Sequence, residues 1–212
     1  MDGAGCAHTP ETQAIAHANP AQNTAFSADI VWPKLNTLHS NVTPSARLVR
    51  AVVARLPPLT GRPVTLEVRA GLTDRRGVVH AGSFLRERRI AFEAELVDEP
   101  REFARIFVHE LFHFVWLRLG NPRRWSYEAL LRDELRRGAL GELGWSAEWR
   151  KRNIRRGGRR HWREYACESF CDTAAWLFSG VRSHPEYTLA SRFREGRRQW
   201  FAKSDVTKGI SI

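Results

Sequence analysis

The sequence has few cysteines, no apolar run of membrane-spanning length and no recognisable export signal. Three cysteines, Cys6, Cys167 and Cys171, are too few to form the disulfide framework of a small secreted domain. The longest apolar stretch, residues 106–119, is interrupted by four polar or charged side chains, whereas a bilayer requires about 20 predominantly apolar residues. The first 20 residues contain neither the basic nor the apolar segment of a signal peptide. We therefore expect a protein without a membrane span, located in the reducing environment of the cytoplasm.

Lysine is also scarce, because arginine supplies 30 of the 34 basic residues. The formal net charge is +11, and residues 123–163 alone carry 13 basic and 5 acidic side chains, which is +8. Such a basic segment can attract an anionic partner, either nucleic acid or an acidic protein. A solvated face of an arginine-rich protein explains the same charges more simply, and the sequence favours that interpretation.

The hydrophobic pattern predicts one α+β domain over residues 43–212, preceded by a disordered or loosely docked arm over residues 1–42. Within the domain, a short helix and a small set of strands precede a group of helices, an order that is typical of α+β folds. A basic surface excursion is expected at about residues 138–160. The predicted strands are residues 64–68, 77–82 and 89–96, and the predicted helices are residues 43–56, 101–119, 124–137, 160–178 and 185–201.

The predicted helix over residues 101–119 is apolar on nearly all sides, which indicates that it is buried. It nevertheless contains a His-Glu-x-x-His motif, formed by His109, Glu110 and His113. The two histidines are four residues apart, so both imidazoles lie on one face and can bind a single Zn²⁺ ion. Glu110 is placed to act as a general base toward a water molecule activated by the metal. Burying three such groups is costly unless they have partners, which favours a metal site over two hydrogen-bonded core histidines.

A catalytic zinc ion usually takes three protein ligands and keeps one position for water, so a third ligand is required. The predicted helix over residues 160–178 carries Glu164, Glu168 and Asp172 at intervals of four, which places the three acids on one face. A solvated helix face would show the same spacing. Because this helix is also rich in apolar residues, we take its acidic face as the best source of the third ligand.

These two helices resemble the gluzincin clan of zinc metallopeptidases, in which a glutamate on a later helix completes the His-Glu-x-x-His site. The segment from Glu168 to Asp172 matches the Glu-x-x-x-Asp pattern of that later helix and is similar to the helix of lethal-factor-like peptidases. The resemblance implies that His109, His113 and Glu168 bind zinc and that Asp172 orients one of the histidines. It also implies a zincin-like fold, with a small, mostly antiparallel sheet packed on the active-site helix and a helical C-terminal half.

The same helix also permits a second assignment of the third zinc ligand. Residues 164–168 are similar to the Glu-x-x-Ala-Asp helix of the membrane-associated gluzincins and of ImmA/IrrE-type proteins. That resemblance would make Glu164 the ligand and Glu168 the supporting acid. We favour Glu168 as the ligand because Asp172 then has a role. Both resemblances cover only the two helices.

A hydrolase must also stabilise the oxyanion that forms on the attacked carbonyl. In gluzincins, a tyrosine or a histidine usually donates this hydrogen bond. His161, two turns before the favoured ligand on the same face, is the first candidate, and Tyr165 and Tyr127 are the alternatives. His80 and His184 have no local pattern of partners and are predicted to be non-catalytic.

We therefore predict a zinc metallopeptidase that hydrolyses a peptide or protein substrate, with Glu110 as general base and Zn²⁺ as cofactor. The strand predicted at residues 89–96 is expected to lie at a sheet edge, where it can hold an extended peptide. Two alternatives remain. One is a zinc-containing regulatory or nucleic-acid-binding protein that works through residues 123–163. The other is a zincin that keeps the fold but has no catalytic activity.

Overall fold

The computed structural model describes residues 26–30, 44–74, 77–154, 158–204, 206 and 208–212. The helices are α1 (Pro44–Val53), α2 (Pro100–Arg118), α3 (Asn121–Arg136), α4 (Trp145–Asn153), α5 (Gly158–Phe178) and α6 (Ser191–Lys203). The strands are β1 (Phe26–Ile30), β2 (Leu59–Thr60), β3 (Val64–Arg69), β4 (Thr73–Asp74), β5 (Gly77–Val78), β6 (Ala81–Phe84), β7 (Arg89–Glu93) and β8 (Ile210–Ser211). Of the predicted N-terminal arm, residues 26–30 form β1, and the remainder lies outside the described residues. In the described ranges, no helix combines the length and the apolar character needed to cross a membrane.

The main sheet has four strands in the order β1-β3-β7-β6. β3 and β7 run parallel at its centre, and the outer pairs are antiparallel. Val64 and Leu66 of β3 are buried, as the period-two pattern predicts, whereas β7 buries Ile90, Ala91 and Phe92 in succession. A run of buried residues is typical of a central strand that is covered on both faces. The predicted α+β class, with a small sheet, is confirmed.

The prediction of an edge strand over residues 89–96 is wrong. β7 ends at Glu93 and lies between β3 and β6, so the edge strand on that side is β6, which also contacts α2. β7 ends there because the Glu93 carboxylate accepts hydrogen bonds from three backbone N–H groups, including that of Ala94 at 3.1 Å. The chain then continues as a 3-10 helix over residues 94–98. The strand predicted over residues 77–82 is divided between β5 and β6, and Gly82 and Ser83 pair with β7 as part of β6.

The two predicted helices over residues 101–119 and 160–178 are present as α2 and α5, and they pack against each other in the core. α5 buries every residue from 165 to 175. Aromatic rings fill the space around the two helices; for example, Phe170 of α5 stacks on Phe201 of α6 with ring centres 5.0 Å apart. Such close packing permits only one relative placement of the helices. The side chains that α2 and α5 carry are therefore held in defined positions.

Residues 138–160, predicted to form a basic surface excursion, are partly built into the core. Leu143 and Ala147 are fully buried, and α4 packs along α5. The hydrophobic pattern does not reveal this, because the few apolar residues of the segment are separated by glycines and charged residues. As a consequence, α4 lies beside the acidic face of α5.

A buried ion cluster joins α3, α4, α5 and α6. Arg197 of α6 is fully buried and lies 2.7 Å from Glu134 of α3 and 2.7 Å from Glu142. Glu142 also accepts a hydrogen bond from Tyr165 of α5 at 2.5 Å and lies 3.1 Å from the Lys151 ammonium of α4. Burial acts to raise the pKa of Glu142, but Arg197 and Lys151 lower it below its usual value. The cluster therefore holds four helices together through charges that have partners.

Candidate metal centre

His109 and His113 of α2 and Glu168 of α5 meet where the two helices pack together. The Glu168 Oε2 atom is 3.2 Å from His109 Nε2 and 3.9 Å from His113 Nε2. The three candidate ligand atoms lie within 4.8 Å of one another. Two imidazole nitrogens and one carboxylate oxygen form a donor set that binds catalytic zinc and leaves a coordination position open. The residues present therefore fit a zinc ion.

The orientation of His109 is set by Asp172, one turn after Glu168 on α5. His109 Nδ1 donates a hydrogen bond to Asp172 Oδ1 at 2.7 Å, and Asp172 is almost fully buried. This bond leaves His109 Nε2 facing Glu168, as a metal ligand requires. Burial acts to lower the pKa of His109, but the Asp172 and Glu168 carboxylates raise it well above its usual value.

Glu168 has a further charged neighbour in Arg150 of α4, whose Nη2 atom is 3.1 Å from Glu168 Oε1. Burial acts to raise the pKa of Glu168, but Arg150 and the two imidazoles lower it below its usual value. The carboxylate is therefore ionised and available as a ligand. No local pattern in the sequence predicts this contact, because it joins two helices through a single pair of charged groups.

The other ring nitrogen of His113 faces sulfur atoms. His113 Nδ1 lies 3.5 Å from the Cys167 sulfur and 3.6 Å from the Cys171 sulfur, and these side chains form a second group of candidate ligands. Burial and nearby carboxylates raise the pKa of the free Cys171 thiol well above its usual value. Cys167 is disulfide-bonded, so its sulfur cannot act as a thiolate ligand and this second group lacks one of its three donors. The group with Glu168 is therefore the better zinc site. Cys171 is free, so the disulfide of Cys167 does not join these two cysteines to each other.

Glu110 is half-buried beside the candidate ligands and is held by the edge strand. Ser83 Oγ on β6 donates a hydrogen bond to Glu110 Oε2 at 2.5 Å and also lies 2.9 Å from the Glu110 backbone oxygen. The strand and the helix are thus joined at the residue predicted to be the general base. The sequence contains no signal for Ser83, which lies just after the strand predicted over residues 77–82.

Glu164, the alternative ligand, lies one turn before Glu168 and pairs with Arg160 at 2.9 Å. The candidate ligand groups in the described part of the chain include neither Glu164 nor His161. His161 precedes Glu168 by seven residues, which is about 10 Å along a helix axis. The geometry therefore brings Glu168, and not Glu164, to the histidines, and it does not bring His161 into the group.

Tyr127 and Tyr165, the alternative oxyanion donors, are fully buried and cannot reach a substrate. The Tyr165 hydroxyl donates to Glu142 at 2.5 Å. The Tyr127 hydroxyl lies 3.0 Å from the Ser169 backbone oxygen and 3.0 Å from Thr173 Oγ1. Burial raises the pKa of both tyrosine hydroxyls. The sequence does not distinguish a tyrosine that packs in the core from one that faces the site, because both lie on helices.

The two histidines predicted to be non-catalytic lie outside the candidate ligand groups that the described residues form. His80 is exposed. His184 Nε2 lies 3.2 Å from Glu102, and its Nδ1 atom accepts a hydrogen bond from the Glu186 N–H at 3.2 Å. Both nitrogens of His184 are therefore engaged with groups of its own surroundings.

No protein-family model, no curated protein and no solved structure matches this chain. The chemistry of the site is therefore the basis for assigning a function. The site combines a nitrogen and oxygen donor set, an acid that orients one imidazole, and a half-buried glutamate held beside them. Such an arrangement can bind a zinc ion and take a proton from water.

Proposed function

We propose that the protein is a zinc-dependent metallopeptidase of the gluzincin type, with a zincin-like fold. The observation that carries the proposal is the meeting of His109, His113 and Glu168, with Glu110 next to the first histidine. Structural zinc normally takes four protein ligands, so a three-ligand set beside a glutamate suits a hydrolase better. The proposed substrate is a peptide or a protein, and the proposed location is the cytoplasm.

In the proposed reaction, the residues of this chain hold the metal and move the proton. Bound zinc supplies a Lewis acid that polarises the scissile carbonyl group and lowers the pKa of water at the site. Glu110 takes the proton of the attacking water and passes it to the departing amine. Ser83 holds Glu110 Oε2 through the 2.5 Å hydrogen bond, so Oε1 is the oxygen that receives the proton. Asp172 keeps the His109 ring oriented throughout.

The edge strand β6 offers a docking place for the substrate. Among the described strands, β6 pairs with β7 alone, so its outer edge presents backbone groups that a peptide can bind. Ser83, which contacts Glu110, lies on this strand. An extended peptide on the β6 edge is thereby brought beside the general base. The sequence predicts that residues 89–96 hold the substrate peptide; in this proposal residues 81–84 hold it instead.

The metal site is tested by measuring the zinc content of the purified protein and of three variants. We expect zinc in the wild type and in Glu164→Ala, and loss of zinc in His113→Ala and Glu168→Ala, because the last two remove a ligand. Loss of zinc from Glu164→Ala, with zinc retained by Glu168→Ala, would select the other register of α5. Full zinc content in His113→Ala would refute the site.

Catalysis is tested with the Glu110→Gln variant and a broad set of fluorogenic peptides. The amide cannot accept a proton, so we expect zinc to be retained and hydrolysis to fall by a factor of about 10²–10⁴. Wild-type activity in this variant would contradict the mechanism. A wild-type protein that binds zinc but cleaves none of the peptides would support the catalytically silent zincin.

The alternative of an anionic partner bound by residues 123–163 is weakened by the ion pairs in that segment. Where the structure describes this segment, at least seven of its basic residues pair with acids of the same chain. Charges that are already paired contribute less to counterion release, on which binding to nucleic acid depends. Salt-sensitive binding to DNA or RNA would nevertheless restore this alternative.

A further inference from the structure

We propose that Arg150 is a positioning residue of the metal centre, which holds one oxygen of Glu168 so that the other faces the metal. The inference rests on the proposed function, because it takes His109, His113 and Glu168 as the zinc ligands. It concerns a contact between α4 and α5 that the His-Glu-x-x-His motif does not include.

The two oxygens of the Glu168 carboxylate face different partners. Oε2 lies 3.2 Å from His109 Nε2 and 3.9 Å from His113 Nε2, while Oε1 lies 3.1 Å from Arg150 Nη2. A carboxylate can bind a metal through one oxygen or through both. Because Arg150 engages Oε1, only Oε2 is directed to the metal. A single oxygen keeps the number of protein donor atoms at three and leaves a position for water.

Arg150 is itself held in one orientation. Its Nη1 atom donates a hydrogen bond to the Ser146 backbone oxygen at 3.2 Å, and its guanidinium carbon lies 5.7 Å from the centre of the Trp149 ring. The side chain is 26% exposed, so most of it is packed. A planar guanidinium fixed in this way loses little further freedom when it binds a carboxylate, which a flexible lysine would not match.

The helix that carries Arg150 is anchored to the same face of α5. Asp172 Oδ2 accepts a hydrogen bond from the Ala147 N–H in the first turn of α4 at 3.0 Å, while Asp172 Oδ1 binds His109. Glu168 and Asp172 are one turn apart on α5, and Ala147 and Arg150 are about one turn apart on α4. The two helices are therefore joined by two matching contacts, and α4 holds both acids of the site.

The test is the zinc dissociation constant of the full-length chain, measured by competition with a fluorescent chelator. We expect Arg150→Ala to bind zinc about 10–100-fold more weakly, the usual effect of removing a group that orients a ligand. Arg150→Lys keeps the charge but not the planar fork, so its affinity should lie between those of Arg150→Ala and the wild type. Arg152→Ala is the matched control, because Arg152 is on the same helix, pairs with Glu148 at 3.2 Å and is 74% exposed. Its affinity should be unchanged.

A second measurement separates positioning from a general loosening of α4. In protein loaded with Co²⁺ in place of zinc, visible absorption weakens as the coordination number rises. We expect weaker absorption per bound Co²⁺ in Arg150→Ala, because Glu168 can then bind through both oxygens. Wild-type zinc affinity and an unchanged cobalt spectrum in Arg150→Ala would overturn the proposal, as would an equal loss of affinity in Arg152→Ala.

His113→Ala distinguishes failure of this inference from failure of the proposed function. If His113→Ala binds zinc as tightly as the wild type, the ligand set and the proposed function both fail. If His113→Ala loses zinc while Arg150→Ala keeps the affinity and spectrum of the wild type, only the role of Arg150 is refuted. Thermal unfolding with chelator present verifies that each variant is folded.

Discussion

Gly144→Ala tests how closely the start of α4 must approach the proposed metal centre. Gly144 immediately precedes α4 and has φ −177° and ψ 158°, an extended backbone that alanine adopts without strain. A Cβ atom at this position would nevertheless overlap the carboxyl group of Asp172, at distances well under the 3.0 Å that real Cβ atoms keep. The steric contact with Asp172 is therefore the obstacle to alanine.

The size of the effect follows from how firmly Asp172 is held. Its Oδ1 atom is 2.7 Å from His109 Nδ1, and its Oδ2 atom accepts the Ala147 N–H at 3.0 Å. Forcing extra volume into such a packed position lowers the free energy of unfolding by about 1–3 kcal/mol. If the carboxylate moves away instead, His109 loses the group that orients it, and zinc affinity falls by about 10–100-fold. That range corresponds to about 1.4–2.8 kcal/mol of binding free energy.

The assay combines thermal unfolding of the metal-free protein with zinc competition against a chelator. Gly196→Ala on α6 is the matched control, because the nearest atom to its added Cβ, Leu130 Cδ1, is 3.8 Å away. Alanine in a helix interior is favoured over glycine by about 0.5–1 kcal/mol, so the control should be as stable as the wild type or more so. A Gly144→Ala protein with the unfolding temperature and zinc affinity of the wild type would refute the reasoning.

Three other perturbations test separate parts of the structure. Arg197→Leu should lower the free energy of unfolding by about 3–5 kcal/mol, because it removes the partner of the buried Glu134 carboxylate and one of the two cations beside Glu142. Arg198→Leu at the exposed neighbouring position should change the free energy of unfolding by about 0.5 kcal/mol or less; urea unfolding measures both. The wild type should have a higher free energy of unfolding than Glu142→Gln, because the Glu142 carboxylate stabilises the fold only while it is ionised. This difference should be complete above pH 4.5 and should shrink as the pH falls through the lowered pKa of Glu142. An advantage that is the same at about pH 7 and about pH 3 would contradict that account. Ser83→Ala should leave zinc content unchanged and lower the peptide hydrolysis rate about 10-fold or more, because it removes a hydrogen bond to the charged Glu110 carboxylate; an unchanged rate would mean that Glu110 needs no such support.

Helical periodicity by itself determined the two elements that carry the site. The apolar run around His109 and His113 predicts a buried helix, and the spacing of four places both imidazoles on one face. The same spacing places Glu168 and Asp172 on one face of α5. These relations depend only on the geometry of a single helix, so they hold whatever the rest of the chain does. Strand β3 was predictable for a similar reason, since alternation along a strand is also a local property.

Only the tertiary structure decided which groups meet between elements. Whether Glu164 or Glu168 reaches the histidines depends on how α5 is placed against α2, and the packing of large aromatic side chains sets that placement. Ser83 contacts a residue 27 positions later in the chain, and Arg150 contacts Glu168 from a segment with little apolar pattern. Hydrophobic periodicity shows which side of an element faces the core, but it contains no information about which polar groups meet across two elements. For that reason the two helices of the candidate site were visible in the sequence, whereas the residues that hold Glu110 and Glu168 were not.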